Sequence, residues 1–156
     1  MADVDAAGRK LKNFKGFMHD IGARLTEWGP ERAVIEIDVA DIHRNGINVV
    51  HGGVLASLID TAGAHAGIYC DVASNIRQAM TISLNVNLVG NIADGRLIAA
   101  ARVRKAGKTI FVSSCDVHDG GGNLLATGEV VGRYGRGSHL TAGIPAPVPF
   151  SKPSGS

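Results

Sequence analysis

The sequence predicts an α+β domain in which a single buried helix covers one face of an antiparallel sheet. Three observations carry this. Strand-like alternation of apolar and polar residues occupies both halves of the chain. Between the halves lies one run of helical period, from His51 to about Cys70, that is almost free of charge. The later strands are joined by short turns, the connections that link antiparallel strands. Helix and sheet must cover each other, because nothing else in the chain is large enough to do so.

Each element has its own signal. Ala6 to Met18 reads as a short helix, with Leu11, Phe14 and Phe17 on roughly one face. From Gly22 the period becomes two. Ala23 to Trp28 is a strand, Gly29-Pro30 a turn, and Ile35, Ile37 and Val39 alternate with Glu36 and Asp38 in a half-buried strand. Asp41 to Asn48 is a polar loop. In the helix that follows, Val54, Leu58, Ala62 and Ala66 recur every four residues, with Leu55 and Ile59 beside them. After a loop at Asp71 to Arg77, Met80, Ile82, Leu84, Val86 and Leu88 form the cleanest alternation in the chain. Leu97 to Lys105, Thr109 to His118 and Leu124 to Tyr134 complete the strands. Asp94-Gly95, Ala106-Gly107-Lys108 and Asp119 to Asn123 are the turns between them.

The domain is expected to span residues 1–134, of which 1–21 are a helical lead-in. Residues 135–156 hold four of the five prolines, mixed with Gly and Ser, and read as a flexible tail.

Composition excludes several functions. The 156 residues carry a net charge of only +2 and 4 % aromatics, which provide neither a field nor a stacking platform for nucleic acid. Cys70 and Cys115 make neither a disulfide scaffold nor a zinc pattern, and the six histidines lack metal-ligand spacing. No metal site is expected. The start of the chain has no apolar run of signal-peptide type, and Asp60 and several glycines interrupt the one charge-poor stretch. The expected location is the cytoplasm, with no membrane partner. No G-x-S-x-G elbow and no P-loop occur.

Two features could carry chemistry. Asp60 sits in the middle of an apolar helix, where a carboxylate is costly unless it has a partner or a purpose. Its neighbours one turn away, Ala56, Ser57, Gly63 and Ala64, are small and leave room for a pocket. His51-Gly52-Gly53 opens the same helix. Free N–H groups at a helix start attract developing negative charge, and glycines let a carbonyl approach them. That combination can form an oxyanion hole. Nine residues, about 13 Å of helix, separate His51 from Asp60, so one chain cannot easily bring the two together. Two antiparallel copies of the helix can, in a twofold dimer.

The run NGINVVHGGVLASLIDTAGAHA resembles the signature of the hotdog-fold thioesterases of the phenylacetate-pathway type: HGG, six residues, then a catalytic Asp. TISLNVNLVGNIADG resembles the strand that follows in that family, and GKTIFVSSCDV its hairpin. The likeness covers about Gly22 to Tyr134. It implies a hotdog fold, an antiparallel β-sheet wrapped around a central buried α-helix, and hydrolysis of a small or medium acyl-CoA thioester. It also implies a homodimer that pairs into a homotetramer, and no cofactor, coenzyme A being part of the substrate. Asp60 matches the acid that activates water or attacks the thioester, and Gly52 the oxyanion donor. Asn45, His51 and Thr81 match residues near the thioester or its water. Gly90 and Asn91 depart from the family pattern, which has an aromatic, a basic residue and a proline there. Gly53 and Ser57 flank the hole and are candidates for substrate contact. Arg102, Arg104, Lys105 and Lys108 cluster around one hairpin and suit the phosphates of coenzyme A. Two other readings use the same residues: a hydratase, with Asp60 and His65 as acid and base, and a non-catalytic acyl-ligand binder.

Overall fold

The computed structural model describes residues 4–147. Its elements run α1 (Phe17–Asp20), β1 (Arg24–Gly29), β2 (Arg32–Asp38), α2 (Gly52–Gly67), β3 (Asn75–Ile76), β4 (Ala79–Leu88), β5 (Arg96–Ala106), β6 (Ile110–Asp119), β7 (Leu124–Tyr134) and β8 (Ile144–Pro145). Six strands form one antiparallel sheet in the order β1-β2-β5-β6-β7-β4, and β3 pairs with β8 apart from it. The sheet curves round α2, which packs against β2, β4, β5, β6 and β7. This is the hotdog architecture.

The core is where the helical and two-residue periods meet. Leu55, Leu58, Ile59, Ala62 and Ala66 of α2 are buried against Ile35, Ile37, Leu97, Ala99, Val117 and Val130 of the sheet. Removing a leucine or isoleucine side chain of this kind from water is worth about 1.5–3 kcal/mol. Two glycines set how closely helix and sheet approach. A Cβ at Gly63 would lie 2.5 Å from Val130 Cγ2, and one at Gly67 would lie 2.2 Å from Phe111 Cε2. Gly63 therefore serves the packing of α2 on β7 rather than leaving space beside Asp60. Both cysteines are free and buried.

Three expectations need correction. Ala6 to Met18 is not a helix: only Phe17–Asp20 is helical, preceded by an irregular segment. That segment is braced internally by an ion pair between Asp5 and Arg9 and tied to the body by hydrogen bonds from Ala6 N to Trp28 O (2.7 Å) and from Arg9 Nη2 to Cys70 O (2.9 Å). Its apolar side chains dock on the domain instead of one another, so helical period alone did not decide the backbone.

Residues 135–147 are likewise not a loose tail. Ile144 pairs with Ile76. Arg77 donates to Ser138 O and Tyr69 O, each at 2.8 Å, and stacks over Tyr134. Proline and glycine ended the sheet without ending the fold. Residues 148–156 lie outside the described residues.

Finally, β4 and β5 are joined by a short connection yet are not neighbours: β4 pairs with β7 at one edge of the sheet, and β5 with β2 and β6. The connection turns back under the start of α2, where Val50 N donates to Ile92 O (2.8 Å) and the N–H groups of Val89 and Gly90 share Leu125 O. A Cβ at Gly90 would lie 2.9 Å from Leu124 O, which explains the glycine at this departure from the family pattern.

Candidate active site

The helix start is built by the loop before it. His43, which is buried, accepts from Ala40 N through Nδ1 and donates to Ile21 O through Nε2, both at 2.8 Å. His51 N donates to His43 O (2.8 Å), so this loop fixes where α2 begins. His51 caps the helix: its Nδ1 accepts from Gly53 N at 2.8 Å. An imidazole that accepts at Nδ1 carries its proton on Nε2, so His51 presents an N–H donor beyond the cap.

The other first-turn groups are also accounted for. Val54 N donates to His51 O (2.9 Å), and Ser57 Oγ donates to Gly53 O (2.7 Å). Among the described residues, the N–H of Gly52 is the first-turn donor left without an acceptor. It stands at the positive end of a 16-residue helix, where anionic charge is stabilised. Leu88 lies against Gly52: a Cβ there would be 2.6 Å from Leu88 Cδ1.

Asp60 lies two turns further along α2 and is half-buried. Its Oδ1 accepts from Thr81 Oγ1 at 2.6 Å, a charge-assisted bond that fixes one carboxylate oxygen and leaves the other free. Thr81 comes from β4, so helix and edge strand together position the acid. A bulge falls between Thr81 and Ser83. Bulges re-aim side chains, and here Thr81 is brought onto the carboxylate.

Within one chain the predicted residues form two groups. Asp60 and Thr81 meet; His51, Gly52, Gly53 and Ser57 meet at the helix start, about 12 Å away along the axis. Asn45 lies in the preceding loop, where its Oδ1 accepts from Ile47 N (3.1 Å) and Val49 N (3.3 Å). Arg102 and Arg104 lie on β5 and line a cleft of about 360 Å³ with Arg32 and His118. That cleft is on the face of the sheet opposite α2, since the alternate residues Leu97, Ala99 and Ala101 face the helix core. Lys105 follows a register shift at the end of β5, and Lys108 is exposed in the turn after it.

His65 does not pair with Asp60. Five residues of helix turn it about 140° away. Its Nδ1 donates to Thr61 O (2.8 Å), and its ring packs between Phe14 and Trp28. The Asp60–His65 pair of the hydratase reading is therefore not formed within this chain. The sequence does not mark His43, Leu88 or Arg32 as parts of these sites. The two-residue period of β4 gives Leu88 no particular partner, and His43 carries only the signal of a histidine in a polar loop.

Comparisons with known proteins agree with this architecture. The family model described as "Thioesterase superfamily" matches residues 47–126, just over half of the chain and the whole span from the helix start to β7. Acyl-coenzyme A thioesterase 13 of Homo sapiens is 26 % identical over 141 residues, covering 90 % of this chain and 94 % of that protein. A conserved protein of Pseudomonas aeruginosa superposes with a TM-score of 0.69 at 27 % identity, over 78 % of this chain and 94 % of its own. The PaaI protein of the E. coli phenylacetic acid degradation operon shares the fold, with a TM-score of 0.66 at 24 % identity, over 75 % of this chain and 82 % of its own. With α2 wrapped by the sheet and the helix start within the matched residues, the chain belongs to the thioesterase superfamily as a hotdog-fold thioester hydrolase.

Proposed function

We propose that this chain hydrolyses small or medium acyl-CoA thioesters at a site shared between two copies. Asp60 acts there as general base or nucleophile, and the Gly52 N–H as oxyanion donor. The observation that carries the reading is that Gly52 N–H is left unbonded while its neighbours in the first turn are bonded. Thioester cleavage needs a nucleophile on one side of the carbonyl and a donor for the developing oxyanion on the other. Asp60 of one copy and Gly52 of its partner supply both, with the Nε2–H of His51 and Asn45 beside the donor. No metal or cofactor has to be added, and coenzyme A arrives with the substrate.

The exposed edge supports the dimer. β4 ends the sheet with unpaired backbone groups, and it exposes Met80 (73 %), Ile82 (55 %), Leu84 (42 %) and Leu88 (55 %). A long apolar edge of this kind is an aggregation hazard unless a partner covers it. Pairing across it carries the half-buried Asp60 face of α2 towards the start of the partner's helix. A homotetramer follows if two dimers associate. Arg102, Arg104, Lys105 and Lys108 are offered to the coenzyme's phosphates, with Gly53 and Ser57 near the thioester. Because Arg102 and Arg104 face away from their own helix, they would serve a site on another copy. Among the described residues no helix is long and apolar enough to cross a membrane; the cytoplasm is the proposed location.

Free-thiol release over a panel of acyl-CoA chain lengths tests the reaction. Loss of enoyl absorbance without thiol release would replace it with hydration, and binding without turnover would make the chain a carrier. The shared site is tested by mixing inactive Asp60→Asn and Gly52→Val chains. The valine displaces only the exposed end of Leu88, so folding is expected. Verified heterodimers should regain one intact site, and no recovery would refute the geometry.

A further inference from the structure

A second cavity lies on the other side of α2. It measures about 400 Å³, and its apolar walls are Leu11, Phe14, Leu25, Trp28 and His65. None of the residues proposed for catalysis lines it. The irregular N-terminal segment forms its roof, and β1 with the C-terminal half of α2 its floor.

The His65 ring forms part of the wall, edge-on to Phe14 at 5.3 Å and tilted to Trp28 at 5.7 Å. Its Nδ1 bonds the Thr61 carbonyl, and Trp28 Nε1 donates to the His65 carbonyl at 2.8 Å. These bonds fix both rings before any ligand arrives. Burial pushes the His65 imidazole below its ordinary value, so the wall is uncharged at neutral pH.

The rim carries the opposite chemistry. Arg9, Lys10, Lys12 and Arg77 line the cavity against one carboxylate, that of Asp5. Asp5 is already matched by Arg9 and by the N–H groups of Ala7 and Arg9. Arg77 is committed to backbone carbonyls. Among the described residues Lys10 and Lys12 have no ion-pair partner. An apolar chamber with pre-set aromatic walls and two uncommitted cations at its mouth fits a ligand of one class.

The geometry points to a binding site, separate from the catalytic one, for an amphipathic monocarboxylate. The ligand's alkyl or aryl body lies between Phe14, Trp28 and His65, and its carboxylate meets Lys12 and Lys10. The acid released by the proposed hydrolysis has this chemistry, although occupancy of the cavity does not depend on that reading.

Trp28 is the only tryptophan of the chain, so its fluorescence reports the cavity directly. Decanoate, titrated below its micellar concentration into the full chain, should change the emission saturably, and decylamine should not. Lys12→Glu should weaken decanoate at least tenfold. Ala73→Phe, which adds a ring at the cavity's lining, should abolish the response; both positions are exposed, so both variants should fold. Asp60→Asn should bind decanoate like the parent chain even if it has lost all turnover, which separates this proposal from the catalytic one. The proposal is overturned by no saturable change, by an equal response to decylamine, by unaltered affinity in both variants, or by competitive displacement of decanoate by a non-hydrolysable acyl-CoA analogue.

Discussion

Replacing Asp60 by Asn keeps the shape of the side chain and removes its charge and its basic oxygen. The structure sets what this should cost. The bond from Thr81 Oγ1 to Asp60 Oδ1 is 2.6 Å long. A hydrogen bond to a charged group contributes about 1.5–3 kcal/mol, and a neutral one about 0.5–1.5. Because the amide oxygen can still accept from Thr81, the variant should lose about 1 kcal/mol, or about 2–4 °C in melting temperature for a chain of this size. Catalysis should suffer far more. Losing a positioned proton acceptor costs at least about 10²-fold, equivalent to about 2.7 kcal/mol in the barrier. The assay is thiol release from acyl-CoA beside a thermal melt on the same preparation. Thr81→Val gives the complementary result: the carboxylate stays and loses its tether, so turnover should fall less than in Asp60→Asn. A folded, dimeric Asp60→Asn that turns over at near the parent rate would refute the catalytic assignment. Equal losses of rate and stability, with full activity at low temperature, would show Asp60 to be structural.

Three further outcomes concern packing and pH. In Gly67→Ala the new methyl meets the Phe111 ring, which is wedged between two glycines and already occupies the space a Cβ at Gly132 would take, 2.1 Å from Cζ; chemical denaturation should show a loss of about 1–3 kcal/mol. Ser113 is fully buried and its Oγ has no partner among the described residues, so Ser113→Ala should be neutral or stabilising by up to about 1 kcal/mol, and a clear loss of stability would reveal a partner. Burial alone would raise the Asp5 carboxyl, but hydrogen bonds from Arg9 and Ala7 and the Arg9 charge outweigh it and hold the group below its ordinary value of 3.8. With the folded value depressed, its contribution is complete above the unfolded value and is lost as pH falls through the folded one. Trp28 emission should therefore report loosening of the N-terminal segment below about pH 4, and Asp5→Asn should abolish that acid transition while weakening the segment at neutral pH.

Much of the fold could be read directly from residue order. The helix expected from His51 to Cys70 runs Gly52–Gly67, and the alternating runs became strands with ends shifted by at most three residues. These elements bury a face of their own, so the period of their apolar residues is imposed by the packing that stabilises them. The N-terminal segment and residues 135–147 differ from the expectation for the converse reason. Each is held by a few long-range bonds, such as those of Arg9 and Arg77 to carbonyls 61 residues away, which leave no local period.

The candidate site divides along the same line. Asp60 in an apolar helix and glycines at that helix's start are local features, and a carboxylate's desolvation cost makes the first conspicuous from sequence alone. The sequence by itself therefore determined the class of fold, the buried helix and the two ends of the chemistry. The tertiary structure decided which donors remain free. Among the described residues the His51 ring takes the Gly53 N–H and leaves that of Gly52 unbonded, and Thr81, beside a bulge of β4, holds Asp60. Strand order was also a tertiary decision: β4 lies beside β7 although a short link joins it to β5, leaving its apolar edge exposed. Such facts depend on hydrogen bonds and packing between segments distant in the chain. The energies of those contacts exist only once the segments meet, so no local pattern of residues records them.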